Sequence, residues 1–120
     1  MAIEKDWRNS RKYHLSPEQE SAVKMRSIAR YGADAQSTVC MEEFAELIQA
    51  IGRLKRFNPE DPTNMVGRNE LIENLYEEMA DALICFDLLV ETYGLKPSDL
   101  RRMVDHKVWR MKRKPEAQKF

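Results

Sequence analysis

The chain has 120 residues, a formal net charge of zero, 42% apolar residues and 33% charged residues. This length suits one domain with one core, and the composition is typical of a folded protein rather than a disordered tail. No apolar run approaches the roughly 18 residues that span a bilayer, and residues 1–16 lack the apolar stretch of a secretion signal. We therefore expect a cytoplasmic protein with no membrane partner.

The first predicted helix starts with a capping box. Ser16 precedes Pro17 and is followed three residues later by Gln19, the pattern with which many helices begin. Apolar residues then recur at helical spacing, and we expect the helix to end near Gly32. A second helix is predicted to begin around Asp34 and to end in bases that suit the helix dipole, namely Arg53, Lys55 and Arg56.

Residues 58–69 contain two prolines, a glycine and three asparagines, and this composition predicts a loop. A third helix follows, with an apolar series from Leu71 to Leu89 and a predicted stop at Gly94. A fourth begins near Pro97, and no strand pattern interrupts the helices. The sequence predicts an all-α, four-helix antiparallel bundle at residues 16–113, with an N-terminal extension at 1–15 and a C-terminal tail at 114–120.

The chain holds few residues suited to thiol or zinc chemistry. Cys40 and Cys85 lie far apart in apolar helical sequence, and His14 and His106 belong to no zinc-binding pattern. We expect both thiols to be buried as small apolar groups rather than joined in a disulfide or bound to zinc.

Charge is segregated along the chain even though the total is zero. Residues 70–91 include seven acids and no Lys or Arg, whereas residues 101–119 include eight bases and two acids. The acidic helix must therefore be neutralised by other segments, by metal or by solvent. The basic segment favours an anionic ligand. Nucleic-acid binding is a weaker interpretation, because aromatic residues interleave with these bases only at Trp109 and the acidic helices would repel the polymer.

The predicted second and third helices each contain a pair of carboxylates at positions i and i+3. These pairs are Glu43 with Glu46 and Glu78 with Asp81. Each pair shares one side of its helix and borders the apolar stripe. Acids on helices usually belong to a solvated surface. If these helices pack face to face, however, four carboxylates meet and need a cation, and an oxygen-only ligand set favours Mg²⁺, with Mn²⁺ as an alternative.

These two motifs resemble the paired ExxE and ExxD signature of the MazG-type all-α nucleoside triphosphate pyrophosphohydrolases. The likeness extends from about residue 38 to residue 110, although the 31 residues between Glu46 and Glu78 slightly exceed the family's usual spacing. The resemblance implies hydrolysis of an NTP or dNTP between the α and β phosphates, giving a nucleoside monophosphate and pyrophosphate. It also implies that Glu43, Glu46, Glu78 and Asp81 bind magnesium and support catalysis, and that the chain forms a homodimer or homotetramer.

Two groups of bases are candidates for phosphate binding. Lys107 and Arg110 lie at i and i+3 on the last helix, where related enzymes place triphosphate-binding bases, and a solvated basic surface is the alternative. Arg53 and Lys55 form the second group, and helix capping explains them as well as ligand contact does.

Two further functions remain open from the sequence. Phosphoribosyl-ATP pyrophosphohydrolase activity would use the same core chemistry, and a non-catalytic helical interaction module would use the acids to bind a partner. The sequence leaves undetermined the preferred base and sugar, the number of metal ions, the carboxylate that accepts the water's proton, and the cellular role.

Overall fold

The computed structural model describes residues 5–113, which form four α-helices, one turn of 3-10 helix and no strand. The prediction of an all-α fold is confirmed for this range. None of the described helices combines the length and apolar character needed to cross a membrane. Residues 1–4 and the predicted tail at 114–120 lie outside the described range. The elements are the 3-10 turn Arg11–Tyr13, α1 Pro17–Tyr31, α2 Ala33–Arg56, α3 Arg68–Thr92 and α4 Pro97–Arg113.

The capping box predicted for α1 is present. The Gln19 backbone N–H donates to Ser16 Oγ at 3.1 Å, and the Ser16 backbone N–H donates to Gln19 Oε1 at 2.9 Å. The helix ends at Gly32, as predicted, and the φ of +84° there favours glycine. Helix α2 then begins directly at Ala33 without a side-chain cap, so the predicted cap near Asp34 is replaced by this glycine turn.

Helices α2 and α3 form an antiparallel hairpin, as predicted. The hydroxyls of Ser37 and Tyr93 lie 2.6 Å apart, near the start of α2 and the end of α3. Further along α2, Cys40 Sγ lies 3.8 Å from the carbonyl oxygen of Cys85. Residue numbers in these contacts rise along α2 while they fall along α3, which is the arrangement of antiparallel helices. The buried centre between the helices comprises Cys40, Cys85 and Leu88, with Ile28, Phe44 and Leu89 packed against it.

The ends of the hairpin follow the local sequence. The loop at 57–67 is held by short-range bonds, such as Asn64 Nδ2 to the Asn58 carbonyl at 2.7 Å. At the end of α3, Gly94 has a φ of +63°, and the Leu95 N–H donates to the Val90 carbonyl at 2.9 Å. This is the Schellman arrangement, so the predicted stop at Gly94 is confirmed.

Helix α1 packs against the hairpin through polar and apolar contacts. Gln36 is buried on α2, and its Nε2 donates to the carbonyl and the hydroxyl of Ser27 at 3.0 and 2.8 Å. Lys24 Nζ forms ion pairs with Asp87 of α3 at 2.5 Å and with Glu20 at 2.7 Å. These contacts position α1 beside the seam between α2 and α3.

Helix α4 does not complete a four-helix bundle within one chain. It packs far less against the other helices than α1, α2 and α3 pack against one another, and none of its residues is buried. The radius of gyration is 17.7 Å, whereas a compact 120-residue domain has about 13.6 Å. The turn at Gly94 leads α4 away from the hairpin, so its apolar residues remain 40 to 56% exposed: Leu100, Met103, Val104, Val108 and Trp109.

Candidate metal centre

The antiparallel hairpin brings acidic residues of α2 and α3 to one place. Glu43 and Glu46 are neighbours one turn apart on α2, and Glu78 lies opposite them on α3. One carboxylate oxygen from each of these three residues lies within 4.8 Å of the others. This is the only group of three or more potential metal ligands among residues 5–113. The sequence prediction that the two motifs converge therefore agrees with the geometry for three of the four acids.

The fourth predicted residue, Asp81, lies at the edge of this group. It is half-buried on α3, one turn beyond Glu78. Its carboxylate is close enough to Glu43 to raise the pKa of that residue through charge repulsion and through a hydrogen bond to the protonated form. Asp81 therefore lies beside Glu43 but is not one of the three converging ligands.

Two oxygens in the group are buried without a hydrogen-bond partner. They are Oε2 of Glu43 and Oε2 of Glu78, one from each helix. Glu46 is exposed and marks the side of the group that is open to solvent. Buried carboxylate oxygens normally have a hydrogen-bond donor or a cation beside them, because their desolvation is costly. When the carboxylates are ionised, these two atoms thus have no positive or proton-donating partner among the residues that the structure describes.

Burial and repulsion change the protonation of the group. Desolvation, followed by the charges of Asp81, Glu46 and Glu78, raises the pKa of Glu43 from 4.5 to about 7. The pKa of Glu78 is also raised, mainly by burial and then by the charges of Glu46 and Asp81. No Lys or Arg of the described range forms an ion pair with any of these four acids. Residues 5–113 therefore supply no neutralising charge to these acids through an ion pair.

The donor set suits a small hard cation. Magnesium binds oxygens at about 2.0–2.1 Å, so oxygens in one coordination shell lie no more than about 4.2 Å apart. The three oxygens lie within 4.8 Å of one another, so closure by less than an ångström is enough to bring them into one shell. Three carboxylates without nitrogen or sulfur ligands favour Mg²⁺ or Mn²⁺ over zinc. The residues present therefore fit a magnesium ion.

The layer next to the carboxylates is apolar. Cys40 lies one turn before Glu43, Cys85 lies one turn after Asp81, and both cysteines are free and buried, as predicted. Burial is the largest factor raising the pKa of the Cys85 thiol, to about 12, and the nearby Cys40 and Glu43 raise it further. The Cys85 thiol therefore stays protonated. Together the two buried cysteines form an apolar layer, in which charge interactions of the neighbouring carboxylates are stronger than in water.

The predicted phosphate-binding bases do not contact the carboxylates. Arg53 is exposed on α2, donates to Gln49 Oε1 at 3.5 Å, and lies about 10 Å along the helix from Glu46. Lys55 is exposed one half-turn further. Lys107 and Arg110 lie on α4, where Arg110 lines a shallow hollow with Trp109. Their assignment to substrate binding stays a prediction.

A cluster that the sequence analysis missed lies on the outer side of α3. The ring of Trp7 is 5.6 Å from that of Tyr76, and the guanidinium of Arg8 is 4.4 Å from the Trp7 ring centre. Arg8 also forms an ion pair with Glu73. These contacts attach part of the predicted N-terminal extension to α3. No local sequence signal reveals them, because the partners are more than sixty residues apart.

Comparison with known protein-family models, curated proteins and solved structures finds no match for this chain. The geometry and chemistry of the carboxylate group, together with the two acidic motifs, are therefore the features that indicate a function.

Proposed function

We propose that the chain is a magnesium-dependent nucleoside triphosphate pyrophosphohydrolase. It would hydrolyse an NTP or dNTP between the α and β phosphates and release a nucleoside monophosphate and pyrophosphate. One observation carries the proposal: buried, unpartnered oxygens of Glu43 and Glu78 lie within a three-glutamate group built by two helices. The resemblance of the two acidic motifs to MazG-type enzymes supports the reaction class.

The four acids have different parts in this proposal. Glu43 and Glu78 are the inner ligands, because their oxygens are buried and unpaired. Glu46 is the ligand on the solvent side, where a triphosphate can approach, and Asp81 completes the group beside Glu43. When bound, Mg²⁺ supplies charge neutralisation for the phosphate oxygens and lowers the pKa of a coordinated water, and Mn²⁺ can replace it.

Substrate binding and assembly belong to the same proposal. Arg53, Lys55, Lys107 and Arg110 are the bases proposed to bind the phosphates, since they carry positive charge that the carboxylate group lacks. Lys107 and Arg110 would reach the substrate only if α4 packed beside a carboxylate group, either that of its own chain or that of another copy. We also propose a cytoplasmic location and assembly as a homodimer or homotetramer.

A nucleotide panel tests the reaction. Purified protein with Mg²⁺ and a set of NTPs, dNTPs and phosphoribosyl-ATP should release pyrophosphate from at least one of them. The double variant Glu46→Gln/Asp81→Asn should lose at least about 100-fold in kcat/KM, because metal-bound phosphate stabilisation is lost. Glu70→Gln, an exposed acid of α3, is the matched control. Release of orthophosphate alone, or full activity of the double variant, would contradict the proposal.

A non-catalytic interaction module is the second candidate, favoured by the large exposed apolar residues of α2, α3 and α4. Such a module needs no cation at the carboxylate group. It predicts that Mg²⁺ leaves the melting temperature unchanged and that no nucleotide in the panel is hydrolysed. A pyrophosphohydrolase gains stability when the ion binds the folded state.

A further inference from the structure

Helix α4 has a basic and aromatic side opposite its apolar stripe. Each helical residue is rotated about 100° from the one before, so the stripe covers an arc of about 80°. The stripe consists of Leu100, Val104, Val108 and Met111. Five exposed residues on the opposite side lie within an arc of about 100°. We call them the outer side of α4: Arg102, His106, Trp109, Arg110 and Arg113.

The outer side of α4 carries positive charge that the described chain does not neutralise. Residues 106–113 include four bases and no acid. None of the three arginines of the outer side forms an ion pair with a residue of the described range, whereas the neighbouring Arg101 is paired with Asp105 at 2.7 Å. Asp99 also lies on this side, but about 15 Å along the helix from Trp109. The last two turns of α4 therefore suit an anionic partner.

Two aromatic rings lie among these charges. The rings of His106 and Trp109 are stacked, with their centres 6.3 Å apart and their planes at 21°. Trp109 is 51% exposed, and the guanidinium of Arg113 lies 5.1 Å from the centre of its ring. Arg110 completes the shallow hollow that these three residues line. A further planar group can therefore stack here with positive charge beside it.

A polymer of phosphates and aromatic bases matches both features. Arginine binds phosphate oxygens in bidentate geometry, and bases stack on exposed tryptophan. Stacking of this kind needs an unpaired base, so a single strand fits better than a duplex. A lipid surface fits less well, because helices that lie on membranes carry tryptophan on their apolar side. Trp109 lies about 140° around α4 from Val104, which is in the apolar stripe.

The fold changes both of the reasons that make nucleic acid a weaker partner from sequence alone. Helix α4 packs little against α2 and α3, and surface charges more than about 8 Å apart are largely screened at physiological salt. The acidic helices therefore repel a strand on α4 only weakly. Trp109 is also not an isolated ring, because His106 stacks with it.

We propose that the outer side of α4 binds single-stranded nucleic acid. From Arg102 to Arg113 this side is about 16 Å long, which is the length of about five stacked nucleotides. The three arginines contact phosphates, and Trp109 stacks on a base. Arg110 also belongs to the bases proposed above for the substrate, whereas Arg102, Trp109 and Arg113 do not. This inference does not depend on the proposed catalytic activity.

Fluorescence anisotropy of a labelled single strand of about 12 nucleotides, as RNA and as DNA, tests the proposal without Mg²⁺. At physiological salt we expect a dissociation constant between about 1 and 100 µM for at least one of the two strands. The logarithm of the binding constant should fall with the logarithm of salt concentration at a slope of about −2, because three phosphates are neutralised. A dissociation constant above about 100 µM for both strands overturns the proposal.

Two arginine variants with equal change of net charge locate the surface. Arg102→Gln should weaken binding at least about threefold and make the salt slope shallower by about 0.7. Arg26→Gln, at an exposed position of α1, should bind within about twofold of wild type. Equal weakening by the two variants overturns the proposal. So does full displacement of the strand by an equal concentration of ATP, because the surface would then be a mononucleotide site, and so does tighter binding to phosphatidylserine vesicles than to either strand.

Tryptophan fluorescence tests the stacking contact separately from charge. The chain has two tryptophans, so Trp7→Phe leaves Trp109 as the single reporter. Saturation with the strand should quench at least about one-third of its emission. Trp109→Ala should weaken binding at least about fivefold, and Trp109→Phe, which keeps a ring, should weaken it less. Unchanged emission, or unchanged affinity of Trp109→Ala, overturns the proposal.

Discussion

Glu43 combines the features that distinguish a metal ligand from an ordinary surface acid. One of its oxygens is buried without a partner, and desolvation with three nearby acids raises its pKa to about 7. A carboxylate with that pKa is half protonated at neutral pH. The group can therefore be neutralised by protons or by a cation, and these two partners compete for it.

The first prediction concerns the stability of the metal-free protein. The pKa of Glu43 is higher in the folded state than the ordinary 4.5, so the folded state binds more protons between about pH 4.5 and 7. Stability should therefore fall as pH rises through this window and level off above it. After allowance for solvent screening we expect a loss of about 1 kcal/mol or more, seen as a lower melting temperature in chelator-treated protein.

Two variants test whether Glu43 causes this loss of stability. Glu43→Gln removes the charge but retains the size, so the metal-free variant should melt several degrees above wild type at about pH 8 and show a shallower pH dependence. Glu70→Gln, on the exposed first turn of α3, should leave both unchanged within about a degree. A Glu43→Gln variant that is destabilised at about pH 8 would show that the carboxylate is not under repulsive strain.

The carboxylate group was predictable from sequence only in part. The i, i+3 spacing and the apolar neighbours indicated which side of each helix carries Glu43, Glu46 and Glu78, and they indicated that these sides meet. The spacing gave no information about which acid is central, since Asp81 has the same spacing as Glu46 but lies outside the group of three. That difference depends on the relative axial position of the helices, which side-chain packing determines.

At the scale of elements, local signals determined the helix ends well. The capping box of Ser16 and the glycines at 32 and 94 act through bonds within a few residues, so the sequence reveals them directly. The start of α2 differs because Gly32 ends one helix and precedes the next without a side-chain cap. The contact of Gln36 with Ser27 had no sequence signal, because it depends on the angle between α1 and α2.

A second prediction tests the end of α3. Gly94 has a φ of +63°, whereas Gly67 has a φ of −84°, and an added Cβ meets no atom within 4 Å at either position. Gly94→Ala should therefore lower the free energy of unfolding by about 1 kcal/mol through backbone strain alone. At Gly67, the N-cap of α3, the loss of a favoured cap residue and the lower entropy of the unfolded chain oppose each other, so Gly67→Ala should change it by less. Equal effects in chemical denaturation would contradict the Schellman end described above.

A third prediction concerns the attachment of α1. The buried Gln36 amide donates hydrogen bonds to the Ser27 carbonyl and hydroxyl. Its replacement leaves these two acceptors without that donor at the α1–α2 contact. Gln36→Ala should cost about 1–3 kcal/mol and should increase amide hydrogen exchange in α1 more than in the α2–α3 hairpin. The exposed Gln49→Ala is the control on the same helix. Uniform loss of protection over the whole chain would indicate that α1 does not separate first.

At the scale of the molecule, the four predicted helices exist but do not close into one bundle. Amphipathic stripes indicate that a helix has a buried side, yet they do not specify whether the covering helix belongs to the same chain. Apolar residues occupy two sides of α2 and α3: the buried seam that contains Cys40 and Cys85, and an exposed side that includes Ile48 and Leu83. Sequence periodicity alone therefore predicted the number of helices and overestimated the packing of α4.

Direct titration of nucleotide-free protein with Mg²⁺ in a calorimeter tests the central claim, which is that the acids of α2 and α3 form a cation site. We expect binding at about pH 8, weaker binding at about pH 6 because Glu43, with a pKa of about 7, is then mostly protonated, and no binding in Glu43→Gln/Glu78→Gln. Glu70→Gln should bind as wild type does. Absence of binding by wild type at millimolar Mg²⁺, or unchanged binding by the double variant, would contradict the account.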